Sequence, residues 1–207
     1  MNESSNIAVK PKLLLLVGIP GAGKTFFAEK FSSEYQIPFI NLNDWRYNLF
    51  DQPTFDRQED AKLFNFGQSI LEQIFKTRKS VLIEGGLDSR TDRQRYINLA
   101  RQNNYEPMVI WVQNVEQESR IRATRLNKKL PKQFLITSEA FDNTIRRFTA
   151  PNIAEKPVVI SGKHAFSTQY RTILKRIVEQ RSAVSSTAAK DFRTANGLLS
   201  SHRPVIR

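Results

Sequence analysis

The residues Gly18-Ile19-Pro20-Gly21-Ala22-Gly23-Lys24-Thr25 fit the pattern G-x-x-x-x-G-K-[ST], whose residue types and spacing suit a phosphate chain. Glycines let several backbone N–H groups converge on one anion, and a helix beginning there adds the positive end of its dipole. Lys24 is expected to reach the β- and γ-phosphates, and the Thr25 hydroxyl to ligate Mg²⁺. Glu84 ends the apolar run Val81-Leu82-Ile83 and precedes two glycines, where a carboxylate can hold the waters around Mg²⁺. The competing reading of Glu84 is a solvent-facing strand terminus.

Phosphoryl transfer to a hydroxyl also needs a proton acceptor and a cation for the incoming molecule. Within Asn43-Asp44-Trp45-Arg46, Asp44 is the candidate base and Arg46 the candidate acceptor clamp. Asp44 could equally cap a short helix over Trp45–Phe50. Arg122 and Arg125 are three apart and share a helix face, beside Arg120. They could fold over the triphosphate, with Lys128, Lys129 and Pro131 as a flexible cover, or form a surface charge stripe. Arg90, Arg93 and Arg95 make another basic cluster, and Arg146 and Arg147 a third; either could touch a polyanionic acceptor, and one is expected to be a solvated face.

These residues need a scaffold that brings them to one edge. Five apolar runs read as strands: Leu13–Val17, Pro38–Leu42, Ser80–Glu84, Pro107–Val112 and Pro157–Ile160. Helical patterns separate them over Thr25–Glu34, Asp56–Lys79, Thr91–Asn103, Glu116–Leu126 and Ser138–Phe148, and Gln169–Arg181 closes the series. Strands apolar almost throughout, alternating with helices, predict an α/β three-layer sandwich around a mainly parallel five-stranded sheet. Ligands of such sheets lie beyond the carboxyl ends of the strands, so the phosphate loop, 43–46 and 84–86 should share one crevice.

The expected organisation is an N-terminal extension over 1–11, one domain over 12–181 with a small helical lid at about 120–148, and a basic, disordered tail over 182–207. Absence of cysteine excludes disulfides and thiolate metal sites, and two histidines argue against a histidine site. No apolar run suits a membrane span and the first residues lack a secretory pattern, so a cytoplasmic location is expected. The formal net charge is +12; residues 181–207 carry five basic and one acidic residue, which leaves 1–180 at 27 basic against 19 acidic, or +8. That suits a polyanionic partner, or the needs of the nucleotide site and solubility alone.

Over roughly 12–180 the pattern resembles the P-loop kinases (AAA-type ATP-binding proteins) that group 5′-polynucleotide kinases with zeta-toxin-type kinases. The loop Gly18–Thr25 is similar to theirs, and Asn41-Leu42-Asn43-Asp44-Trp45-Arg46 resembles the polynucleotide kinases' segment with an acid three residues before an arginine. Val81–Gly86 resembles the zeta-type strand ending in glutamate. Arg93 matches an arginine common after that strand, Arg122 and Arg125 resemble the lid, and Phe148-Thr149-Ala150-Pro151 the lead into the last strand. Two departures stand out. Three residues before Arg46 is Asn43, with the acid Asp44 only two before, and the lid arginines are spaced by three where polynucleotide kinases more often use four.

The resemblance implies a P-loop NTPase fold and transfer of the γ-phosphate of ATP, with Mg²⁺, to a nucleic-acid 5′-hydroxyl or a small metabolite such as a nucleotide sugar. An ATPase or switch without an acceptor is the alternative, kept open by Asn43. A nucleic-acid module that borrows the fold is a third reading, hinted at only by Trp45 and Tyr47 beside Arg46. A GTPase is disfavoured, because Asn127-Lys128-Lys129-Leu130 has Leu where an Asp must pair with guanine.

Overall fold

The computed structural model describes residues 10–51, 53, 56–125 and 136–180. Residues 1–9 of the expected 1–11 extension, the middle of the expected lid and the tail lie outside the described residues.

The first strand, β1 (Lys12–Val17), is buried at every position. Leucine-rich rather than alternating, it can sit only in the middle of a sheet covered on both faces. The other strands are β2 (Phe39–Asn41), β3 (Val81–Glu84), β4 (Glu106–Gln113) and β5 (Val158–Ser161). Their order is β2-β3-β1-β4-β5, and all four pairings are parallel, where a mainly parallel sheet was expected.

Side chains alternate between two cores. Leu13, Leu15 and Val17 face one that also takes Leu71, Phe75, Tyr96 and Ile97. These come from α3 (Arg57–Lys76) and α4 (Arg90–Gln102). Leu14 and Leu16 face the other, with Phe27 and Phe31 of α1 (Lys24–Tyr35) and Ile173 of α7 (166–180). On α3 the buried positions Glu59, Leu63, Gly67, Leu71 and Phe75 recur every four residues, which is the stripe expected of a helix laid on a sheet. Three layers result, as the pattern of elements predicts. No described helix is long and apolar enough to cross a membrane.

Three short helices sit over the carboxyl edge. One is α2 (Leu42–Leu49), which begins directly from β2, earlier than expected. Its N-cap is Asn41, whose side chain accepts a hydrogen bond from the Asn43 N–H at 3.1 Å. Asp44 therefore lies in the first turn and does not cap the helix, since a residue inside the helix cannot adopt the extended cap geometry. The other two are α5 (Glu116–Arg125) and α6 (Ser138–Arg147), joined by an Arg120–Asp142 ion pair with the Arg120 guanidinium 4.5 Å from the centre of the Phe141 ring.

Candidate active site

The sheet register brings the expected chemistry together. Leu16 pairs with Glu84, and Asn41 with Glu84, so the turn after β1, the cap of α2 and the end of β3 lie side by side. The turn from β1 to α1 is tight. Gly21 has φ +75°, and a Cβ there would run into the Ser119 carbonyl oxygen of α5. Across the loop, a Cβ at Gly162 after β5 would strike the carbonyl oxygen of Ala22. Two neighbouring elements thus close on the loop backbone, leaving its N–H groups and the start of α1 to form an anion cradle.

Lys24 folds back over this loop, its Nζ donating to the Ile19 carbonyl at 3.1 Å. The same Nζ stands 3.9 Å from Glu84 Oε1, to which the Thr25 hydroxyl donates at 3.0 Å. Glu84 is only 2% exposed, and its second oxygen, Oε2, is buried without a hydrogen-bond partner. Burial raises its pKa above the usual carboxylate range, against the lowering by Lys24 and Thr25.

A hydroxyl and a carboxylate with an orphaned oxygen form a hard-oxygen donor set, which fits Mg²⁺. Among the described residues no group of three or more His, Cys, Asp or Glu could hold a metal on its own. The ion would be completed by phosphate oxygens and water, as Mg²⁺ usually is.

Asp44 projects from the first turn of α2, exposed, with Oδ2 accepting from the Asn41 amide at 2.8 Å. Partial burial raises its pKa, and its charge acts on Glu84, so the two carboxylates share the crevice. Arg46 is placed elsewhere. It is 6% exposed and its two terminal nitrogens bind Glu59 and Asp60 on α3. The guanidinium expected to clamp the acceptor here bridges α2 and α3, held by the buried Glu59 and the half-buried Asp60.

Arg122 lies half-buried on α5 and donates to the Gly162 carbonyl at 3.2 Å, beside the phosphate loop. Arg125 ends α5, but its side chain lies outside what is described, as do Lys128, Lys129 and Pro131. A cleft of about 750 Å³ runs past Ile19 along the carboxyl ends of β4 and β5, its walls including Gln113, Asn114, Ser161 and Lys163.

Of the two further basic clusters, Arg90 and Arg95 are exposed, whereas Arg93 is fully buried and paired with Glu155 at 2.6 Å. Arg147 reaches Asp60 at 2.9 Å and ties α6 to α3. Sequence reasoning passed over Asp88, in the loop after β3. Its pKa is raised by burial, with Lys24 and Arg147 pulling the other way. Its place four residues after Glu84, between the glycine pair and α4, was the only signal available.

Similar folds come from several kinases. A gluconokinase from Sinorhizobium meliloti 1021 superposes with a TM-score of 0.64 at 11% identity, over 86% of this chain and 98% of that one. The Mycobacterium tuberculosis APS kinase, solved with AMPPNP and APS, gives 0.61 at 14%, over 80% and 96%. A chain of the Pnkp1/Rnl/Hen1 RNA repair complex gives 0.55 at 21%, over 70% of this chain and 46% of its own length. No curated protein matches the sequence. A family model described as an AAA domain covers residues 13–151, and with two thirds of its length matched this chain belongs to that family and has the fold of the P-loop kinases.

Proposed function

We propose that the protein is an ATP- and Mg²⁺-dependent phosphotransferase acting on a hydroxyl acceptor. The observation that carries this reading is the convergence of Lys24, Thr25 and the half-satisfied Glu84 on one phosphate cradle, with Asp44 beside them. The loop amides of 18–25 and Lys24 bind the β- and γ-phosphates. Thr25 and Glu84 would hold Mg²⁺, which supplies charge neutralisation at the phosphates when bound. The acceptor oxygen attacks the γ-phosphorus, the bond from that phosphorus to the β–γ bridging oxygen breaks, and ADP leaves. Asp44 takes the hydroxyl proton; its raised pKa makes it a better base than an ordinary aspartate. Arg122, with Arg125 further along α5, stabilises charge on the moving group. Arg46 serves by fixing α2, and so Asp44, on α3.

The acceptor is a nucleic-acid 5′-hydroxyl or a small metabolite such as a nucleotide sugar, and the basic surface favours an anionic molecule. A cytoplasmic location, where ATP is plentiful, goes with this reading. The test is transfer of labelled γ-phosphate from ATP over a panel of 5′-hydroxyl oligonucleotides, sugar nucleotides, gluconate and APS. Acceptor-dependent product that disappears in Lys24→Met supports the proposal. Hydrolysis that no acceptor accelerates supports the ATPase or switch instead.

A further inference from the structure

One carboxylate in the crevice has no task in the mechanism above. Asp88 sits in the loop between β3 and α4, and its side chain makes no hydrogen bond among the described residues. It is half-buried, which for a charge without donors is costly. Lys24 and Arg147 are the cations within electrostatic reach of it, and Asp60 and Asp92 the anions, so it shares the electrostatic neighbourhood of the phosphate loop.

The backbone that carries Asp88 is held unusually firmly. Arg93 Nη1 donates to the carbonyls of Leu87 at 3.1 Å and Asp88 at 3.3 Å, and also to that of Thr149 at 2.9 Å. The Thr149 N–H returns a bond to the Asp88 carbonyl at 2.9 Å. On its other side Arg93 binds both oxygens of Glu155, at 2.6 and 3.1 Å. Glu155 is in turn fixed by a reciprocal cap with Asn152. Capping α4 needs none of this, because the Ser89 side chain already accepts from the Asp92 N–H. The loop is also pressed against the first turn of α2: a Cβ at Gly85 would stand 3.0 Å from the Asn43 backbone nitrogen. The loop that carries Asp88 and the helix turn that carries Asp44 therefore touch, at the ends of neighbouring strands.

We infer that Asp88 selects the phosphoryl acceptor by taking a hydrogen bond from one of its hydroxyls, and that Arg93 is the positioning residue that presents Asp88. This rests on the kinase reading. An ionised carboxylate can only accept hydrogen bonds, so its natural ligand is a molecule rich in O–H donors, such as a sugar or the ribose of a nucleotide. Asp44 removes the proton of the hydroxyl that reacts; Asp88 holds a hydroxyl that does not. A molecule with a single hydroxyl would satisfy one and leave the other bare.

The experiment compares the full chain with Asp88→Asn and Arg93→Lys in steady-state transfer from ATP to gluconate, APS and a 5′-hydroxyl oligoribonucleotide. Asp88→Asn is expected to raise the acceptor KM about tenfold or more, with the ATP KM within twofold. Arg93→Lys keeps the charge but loses the fork, and is expected to raise the acceptor KM in the same direction, with thermal melting confirming a folded protein. Acceptor KM and kcat within twofold of the parent for Asp88→Asn would overturn the inference. If no acceptor accelerates turnover, the kinase reading fails, and hydrolysis is read instead, with water occupying the same slot. A fivefold or greater change in hydrolysis at constant ATP KM then still supports Asp88 as the residue that lines the slot, and an unchanged rate removes it.

Discussion

Glu84 is charged where charge is least welcome. With one oxygen bound by Thr25 and the other buried without a partner, it gives up stability in return for a metal-ready oxygen. Because the folded protein raises its pKa, the penalty is absent at acid pH, where the group is protonated in both states. It grows as pH rises through the unfolded value and is complete above the folded one. Glu84→Gln is therefore expected to stabilise the nucleotide-free protein by about 1 kcal/mol at neutral pH, with no gain below about pH 4, while abolishing Mg²⁺-dependent turnover. Denaturant melts at several pH values check the first part, and a coupled assay the second. Asp44, exposed where Glu84 is buried, carries less of this penalty. Asp44→Asn should leave stability and ATP affinity near the parent values and lower kcat by about 10²–10⁴. Transfer that survives this change would remove Asp44 as the base.

At the scale of elements, two struts hold the side on which the acceptor is proposed to bind. Arg46 joins α2 to Glu59 and Asp60 of α3, and Arg147 brings α6 to the same Asp60. Removing Arg46 leaves Glu59, 5% exposed, as a buried charge that has lost this partner. Arg46→Ala should cost about 3–5 kcal/mol, read as a lowered denaturant midpoint at unchanged slope. An acceptor clamp would have produced a rise in acceptor KM with stability intact. On the nucleotide side the tight contact is Gly162 against Ala22. Gly162→Ala is expected to push the phosphate loop aside and weaken ATP binding about tenfold or more by calorimetry.

The strands and helices were legible from local pattern, because Leu13–Val17 or Val81–Glu84 can be read without knowing what lies beside them. The phosphate loop was legible for the same reason: its motif carries its own geometry. Arg46 and Arg93 were not, since their partners Glu59 and Glu155 stand 13 and 62 positions away, and a lone arginine gives no sign of which carboxylate will bury it. The competing cap reading of Asp44 could not be decided by type, because Asn41 is an equally good cap and only the start of α2 separates them. Asp88 was missed because aspartate in a polar loop is ordinary until its neighbours are known.

For the whole molecule, β1 stands third of five, with two strands on each side. The described domain closes with α7, which shares a core with α1, and residues 181–207 lie beyond it. A chain ending at residue 180 is expected to keep its melting temperature and to bind ATP within about twofold of the full chain. A large loss of either would place part of the tail in the domain. The central position of β1 also divides labour. Asp44 and Asp88 follow β2 and β3 on one flank, whereas the Arg122–Gly162 contact and the cleft of about 750 Å³ belong to β4 and β5 on the other. On the proposed reading, what enters by one door need not be known at the other: changes around Asp88 would alter the cargo while the fuel stays the same.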